Sequence, residues 1–495
     1  MKLSSTLKFF AIVVAALALL CIVFPANGVT VGGITLRFPK LHSVLVREKQ
    51  KTIDEFLVKE EERDLTGIRD SIEECYRVLI ESQLRFWLPN DDISYFDEFF
   101  KLAEKAKSEN NVIRILHYGD SQIESDRVTC RIRERIQEIF GGGGPGLLPL
   151  RQPCPTYTFS QSCSGFLAGQ STWGDSTFRR ANGNYGPMLR SWRITGSATM
   201  SLRPYKGQYA TDRVSHFSRL AVIFNNRPGP LTATMKDRNG GATFTQSVTE
   251  QGVNMISWTM DSATTMATVS LSGNADIYGV LVDNGPGVAV DNIGMRSTSG
   301  HQFKMTNLDQ LTEAYRLMGA KVIMMQFGGN SLPCFKTQKA IDNYCEQMAK
   351  QIEHIHAACP EAAIIFIGPS DMSTTIGGRR ASYPLLAATV ENLSKMANEH
   401  NASFWSIYHA MGGDNSMVAW NKSGLAGSDY IHFTMKGANL MGDYFSDAFL
   451  KLYELFNIRK QLTKEQFNKI WNEVRSNNND NNDSNNQPSS NNDDK

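Results

Sequence analysis

The strongest constraint on the fold is an alternation of apolar and amphipathic runs in the second half of the chain. Residues 321–326, 362–367 and 403–407 are short and apolar, as buried strands are. Residues 305–318, 337–357, 383–400 and 435–456 carry apolar positions three and four apart, which predicts helices. The same unit occurs earlier, where the apolar run 113–116 stops at Gly119 and an amphipathic run, 123–140, follows. Strands joined through helices run parallel, and the helices cover both faces of their sheet. The predicted class is therefore α/β. In such sheets the functional groups meet in the crevice beyond the carboxyl ends of the strands. Ser121, the segment Gly328-Gly329-Asn330, Asp371 and the end of run 403–407 all fall at strand ends.

Residues 147–282 have a different texture. Short alternating runs at 198–202, 219–224, 231–235, 243–248, 266–271 and 278–282 are separated by turn residues, the spacing of an all-β sandwich. Asp237-Arg238-Asn239-Gly240-Gly241 predicts a hairpin turn. Because the α/β pattern resumes at about residue 283, this module is an insertion, and the α/β domain comprises residues 110–146 and 283–457. At their junction Gly141-Gly142-Gly143-Gly144-Pro145-Gly146 excludes regular structure, and no Gly-Lys-Ser/Thr follows to make a phosphate loop. A hinge or a loop lining the cleft is expected there.

At the N-terminus, Lys2 and Lys8 flank an apolar run over residues 9–24, followed by Pro25-Ala26-Asn27-Gly28. This is a secretory signal with a cleavage site at 26–28, or an uncleaved anchor, since the run is long for a signal core and short for a membrane span. Cys21 lacks the small preceding residue that lipidation favours. Either way the rest of the chain is exported, to the periplasm or cell envelope. Residues 29–109 form a helical lead-in, with periodic apolar positions such as Ile53, Phe56, Leu57, Ile68 and Ile72 and a second helix over 95–107. A helix over 458–475 closes the chain, and residues 476–495, almost wholly Asn, Asp, Ser and Gln, predict a disordered tail. A net charge of +1 argues against nucleic acid and against an anionic membrane surface as partners, leaving the N-terminal segment as the membrane contact if it is uncleaved. The eight cysteines form no CxxC or Cys/His metal pattern. Pairing of Cys154 with Cys163, or of Cys334 with Cys345, stays open, as does the oligomeric state.

Ser121 stands where a strand turns into a helix, a position that exposes its hydroxyl beside free backbone N–H groups. A serine nucleophile needs a base, and a third group to hold that base in one tautomer. Of the nine histidines most sit within helices or loops, and His117 in the first strand reads as a satisfied core residue. His432 differs, because it precedes the last helix with Asp429 three residues before it.

Gly119-Asp120-Ser121-Gln122, Gly328-Gly329-Asn330 and Asp429-x-x-His432, in that order, resemble the blocks of the SGNH/GDSL hydrolase superfamily. The resemblance implies a flavodoxin-like three-layer α/β/α fold over residues 110–140 and 285–457. It implies Ser121 as nucleophile, His432 as general base and acid, and Asp429 as its orienter. The oxyanion hole would comprise the Ser121 N–H, a central-block N–H and the Asn330 side chain. Counting from Asn292, the central position that is glycine in relatives falls on Ser297, with Gly294 as the alternative. Asp120, Gln122, Asn292 and Arg296 are candidates for supporting roles. The inserted module makes the chain resemble exported carbohydrate O-acetylesterases, including those acting on peptidoglycan. The implied partner is an acylated glycan, with Trp173, Tyr185, Trp192, Tyr205, Tyr209 and Trp258 as candidates for stacking on sugar rings. No metal and no cofactor is expected. A glycan-binding protein with a vestigial hydrolase domain, and an O-acyltransferase using the same triad, are the alternatives.

Overall fold

A six-stranded sheet forms the centre of the computed structural model, which describes residues 66–205 and 211–485 and scattered residues between 8 and 36. Its order is Gly287–Gly294, Val112–Gly119, Ala320–Gln326, Ala363–Gly368, Ser403–Ser406 and Phe86–Trp87. The first five strands are parallel and the last is antiparallel. Numbered along the chain, the parallel strands stand in the order 2-1-3-4-5, the flavodoxin-like arrangement. Register sets Gly119 opposite Gly294 on one side and Gln326 on the other. The three loops that follow these residues therefore open side by side at the switch point.

Helices cover both faces, which is why the strands read as continuous apolar runs. Thr129–Phe140 and Met435–Gln461 pack together on one face, and Leu308–Met318, Gln338–Ala358 and Leu386–Glu399 pack in sequence on the other. Helix starts follow side-chain caps: Asn307 accepts from the Gln310 N–H at 3.0 Å and Thr434 from the Gly437 N–H at 3.2 Å. The Asn307 cap places the helix start at Leu308, later than the periodicity alone predicts. The lead-in helix Asp97–Ser108 belongs to the same compact unit as the sheet, which begins at Ile72. Its rings pack on the first face, with Phe96 5.2 Å from Phe449 and Phe100 6.3 Å from Phe140 between centroids. The final helix, Lys464–Asn485, runs into the Asn-rich segment expected to be disordered. Once a helix is nucleated, each further residue adds a hydrogen bond, and Phe467 and Val474 bury the nucleating turns.

Residues 1–71 form a separate unit, described through helical residues between 8 and 23, an antiparallel hairpin of Val29–Val31 with Ile34–Leu36, and helical residues from 66 onward. Among the described residues no helix is long and apolar enough to cross a membrane. Cys21, the cleavage site at 26–28, Ile53, Phe56, Leu57, Tyr209 and the tail 486–495 lie outside the described residues. The seven described cysteines are free thiols, so neither candidate disulfide is formed. Cys345 is buried on its helix while Cys334 is exposed, and Cys163 lies within a strand opposite Met200.

The insertion is all-β, but its eight strands belong to one antiparallel sheet where two packed sheets were expected. The cause is the strand Ala267–Asp283, which joins two expected runs. One edge pairs with Arg190–Pro204 and then Gly146–Leu148, and the other with Leu231–Asp237 and then Phe217–Asn226. Thr243–Val248, beside Leu231–Asp237, and Phe159–Ser171 and Gly252–Thr264 complete it, the last two being strands whose polar alternation masks them. Ile194, Met200, Val222, Met235, Val269 and Ile277 share its core. The predicted turn forms as the Asp237 carboxylate accepts from the N–H groups of Asn239 and Gly240, each at 2.9 Å.

The glycine run at the junction is neither hinge nor cleft lining. A Cβ at Gly142 would meet Val288, one at Gly144 the Val282 carbonyl, and one at Gly146 the Asp291 carboxylate. The outgoing chain is pressed against the returning one, and only glycine permits the approach. Arg114 closes this seam from beneath. Its guanidinium donates to Asp291 Oδ1 at 3.0 Å and to Asp283, while Asp291 Oδ1 also accepts from the Leu147 N–H at 2.8 Å. All three charged side chains are buried. Arg114→Met would strand two carboxylates, and we expect it to lower the unfolding free energy by about 3–5 kcal/mol in urea titrations. Arg114→Lys should recover only part, since one ammonium cannot reproduce the forked guanidinium contacts.

Candidate active site

Ser121 lies on the turn after Gly119, with its Oγ 2.8 Å from His432 Nε2. His432 Nδ1 is 2.7 Å from Asp429 Oδ2. The other carboxylate oxygen, Oδ1, accepts from the N–H groups of Ile431 at 3.0 Å and His432 at 3.1 Å. The Asp-x-x-His spacing thus lets one side chain brace its own loop and the imidazole together. Burial pushes the Asp429 carboxyl up, but the bonds from His432 and the two N–H groups outweigh it and hold it below the usual range. With Nδ1–H donated to Asp429, the Nε2 lone pair faces the Ser121 hydroxyl.

The helix expected directly after Ser121 is interrupted. Glu124–Asp126 is a 3-10 turn, Ser125, Asp126 and Val128 have φ of 64°, 68° and 57°, and the helix begins only at Thr129. Asp126 turns inward to a buried pair with Arg133 at 2.7 and 2.9 Å and a bond from Thr158 at 2.6 Å. That buried pairing outweighs helix continuity, and it removes the helix N-terminus as a source of donors for Ser121.

A cavity of about 540 Å³ opens over Ser121 and His432, lined by the loops that follow Gly119, Gly294, Gln326 and Gly368 and by the loop that carries Asp429 and His432. Ser121, Ser297 and Asn330 line it; Gly294 does not. Gly294 ends its strand beneath Glu124, where a Cβ would come within 2.9 Å of the Glu124 Cα. Ser297 holds the left-handed conformation, φ 64°, that glycine adopts without cost. Among the described residues, neither the Ser121 nor the Ser297 N–H has a hydrogen-bond partner in the protein. Asn330 Nδ2, by contrast, is occupied, donating to Asp120 Oδ2 at 3.0 Å and to the Thr298 carbonyl at 2.9 Å.

The supporting candidates divide by what they hold. Asp120 Oδ1 accepts from the Gln122 N–H at 2.9 Å, and burial pushes its carboxyl up to about 6 against the pull of that bond, His432 and Arg127. Gln122 spans to the base loop, donating to the Ile431 carbonyl at 2.6 Å and to Ser370 Oγ at 3.1 Å, and accepting from the Phe433 N–H at 3.3 Å. Asn292 donates to the Ile123 carbonyl at 2.9 Å and to Thr129 Oγ1 at 2.7 Å. The chain continues through Thr129 to His117 Nδ1 and from His117 Nε2 to Gln326, with burial pushing the His117 imidazole down to about 3. His117 is thus a neutral, satisfied core residue. Arg296 pairs with Glu124 at the cavity rim, at 2.9 and 2.5 Å.

Arg127, which no motif marks, clamps the same loops by donating to the carbonyls of Ser121, Glu124 and Phe433. Asp371 faces away from the cavity, accepting from Ser382 Oγ at 2.6 Å and the Met417 N–H at 2.7 Å. The end of run 403–407 is likewise absent from it, because Ser406 caps the next short helix. Of the stacking candidates, Tyr185, Trp192 and Trp258 are buried, Trp192 with one edge on two smaller cavities; Tyr205 is exposed, and the half-buried Trp173 borders one of those cavities.

A peptidoglycan O-acetylesterase of known structure superposes with a TM-score of 0.58 at 20% identity, over 73% of this chain and 96% of that one. The chain has the SGNH/GDSL hydrolase fold. A family two carbohydrate esterase from Cellvibrio japonicus (8% identity, 60% of this chain and 99% of that chain, TM-score 0.23) matches more distantly. So does a GDSL-like lipase structure from Parabacteroides merdae (14%, 33% and 74%, TM-score 0.27). No family model and no curated protein matches the sequence.

Within this SGNH fold, Ser297→Val should cost about 1–2 kcal/mol, because a branched side chain tolerates a left-handed φ poorly, while Ser297→Gly should not destabilise. Thermal and urea unfolding of the two variants checks this. Asp120 binds its proton more tightly folded than unfolded. Its contribution therefore reduces stability as pH rises from about 4 to about 6, by about 3 kcal/mol at most. Asp120→Asn should remove that slope in urea titrations across the same window.

Proposed function

We propose that the protein is an exported serine esterase that removes O-acetyl, or another short acyl group, from a glycan such as peptidoglycan or another polysaccharide. The observation that carries this reading is the unbroken relay from Ser121 Oγ through His432 to Asp429, set beside two unengaged backbone N–H groups. Ser121 Oγ attacks the ester carbonyl as His432 Nε2 takes its proton, and Asp429 stabilises the imidazolium. The N–H groups of Ser121 and Ser297 receive the oxyanion. Asn330 becomes a third donor by exchanging one of its two present bonds for one to that oxygen. The glycan alkoxide leaves with the proton from His432, and water deprotonated by the same imidazole hydrolyses the acyl-enzyme.

The likeness to the peptidoglycan O-acetylesterase supports a glycan ester as substrate, and the N-terminal segment supports export to the periplasm or cell envelope. An assembled triad favours catalysis over a vestigial domain. Acyl transfer differs only in a sugar hydroxyl replacing the water. Hydrolysis of p-nitrophenyl acetate and acetate release from a panel of acetylated glycans test the proposal. Ser121→Ala should lower kcat by about 10⁴-fold or more, and Asp429→Asn by about 10²–10⁴-fold. Wild-type turnover by Ser121→Ala would refute it, and acetyl recovered on an added sugar acceptor would establish the transferase instead.

A further inference from the structure

Beyond the triad cavity, one cation stands out. Arg190 begins the strand Arg190–Pro204, opposite Ser171, and shares a face of that strand with Trp192. Its guanidinium lies 4.3 Å from the Trp173 ring centroid and 6.0 Å from that of Trp192. Among the described residues it has no hydrogen bond and no ion pair with the protein. Of the other half-buried arginines of this module, Arg193 pairs with Asp276 at 2.8 and 2.9 Å and Arg227 with the same carboxylate at 3.3 Å, while Arg180 and Arg219 donate to backbone carbonyls. Burial lowers the hold of Arg190 on its proton, and no carboxylate offsets it. A guanidinium so placed carries a desolvation cost that the protein alone does not repay.

Its position relative to the chemistry is equally specific. Glu124 lines both the triad cavity and a small neighbouring cavity that Arg190 borders. Arg190, Trp192 and Gln152 also line a cavity of about 360 Å³ in the inserted module, where Arg151 supplies a second cation and no acidic residue contributes. The triad cavity thus shares Glu124 with the small one, which in turn shares Gln152, Arg190 and Trp192 with the third. Aromatic faces beside a forked, planar cation suit a sugar ring that bears a carboxylate.

We propose that Arg190, with Trp173 and Trp192, forms a subsite for the carboxylate of an acidic sugar, so that the enzyme selects acylated glycans carrying a carboxyl group close to the ester. This rests on the esterase reading, but binding can be measured without turnover. Tryptophan fluorescence of the full chain is titrated with trigalacturonate and with neutral cellotriose, for wild type, Arg190→Met and Arg190→Lys. Trigalacturonate should bind in a salt-sensitive manner and cellotriose at least about 10-fold more weakly; Arg190→Met should erase that preference and Arg190→Lys retain part of it. In parallel, Arg190→Met should raise KM about 10-fold or more for O-acetylated polygalacturonate and leave p-nitrophenyl acetate hydrolysis unchanged. Equal affinity of wild type and Arg190→Met for trigalacturonate overturns the subsite. Selective binding without any ester hydrolysis by the wild type would keep it and refute the esterase.

Discussion

The buried contact of Arg114 with Asp283 and Asp291 is the interaction on which the architecture turns. Arg114 lies on the strand that leads to Ser121, Asp283 ends the long strand that returns from the inserted module, and Asp291 belongs to the strand beside that of Arg114. A buried ion pair contributes little net stability over well-packed apolar groups, but it penalises every arrangement that leaves its charges unpaired. Its effect here is positional. It sets Gly287–Gly294 against Val112–Gly119 in the register that brings Ser121 and Ser297 onto adjoining loops.

The Ser121–His432–Asp429 relay is held by loops rather than by regular structure. Ser121 and His432 stand 311 residues apart along the chain, and Gln122 and Arg127 fasten their two loops into one body. Ser125, Asp126, Val128, Ser297 and Tyr430 all carry positive φ in these loops. Such backbone strain persists only where the surroundings over-determine it. The clamps and the buried Asn292–Thr129–His117–Gln326 chain supply that determination. The strained backbone is therefore braced on both sides of the Ser121–His432 contact, and much of its energetic cost falls on residues that do not line the cavity, Ser125, Asp126, Val128 and Tyr430.

Much of this was legible in the residue order. The parallel sheet was visible because helices bury both faces of every strand, leaving unbroken apolar runs. The triad was visible because its chemistry restricts residue type and spacing together. What escaped notice had no periodic signature. Phe159–Ser171 and Gly252–Thr264 have polar faces that read as loop, and Arg127 acts through backbone carbonyls that any sequence offers. The helix after Ser121 begins later than the periodicity predicts because a tertiary pair, Asp126 with Arg133, overrides local propensity. Gly294 and Ser297 are small residues three apart, and only the end of the strand at Gly294 sets Ser297 on the loop that lines the cavity. The close approach at the glycine run likewise depends on a partner strand distant in sequence.

The pairing of Gly146–Leu148 with Val280–Val282 bears on how the chain assembles. Arg114 and Asp291 are 177 residues apart, so an unfolded intervening segment would make their encounter a long loop closure. A module that first forms its own core and zips its two ends together shortens that search to the few residues flanking the seam. The inserted β-module thus bears on the central sheet as well as on its own core: with the module folded, the central parallel pair is a local contact.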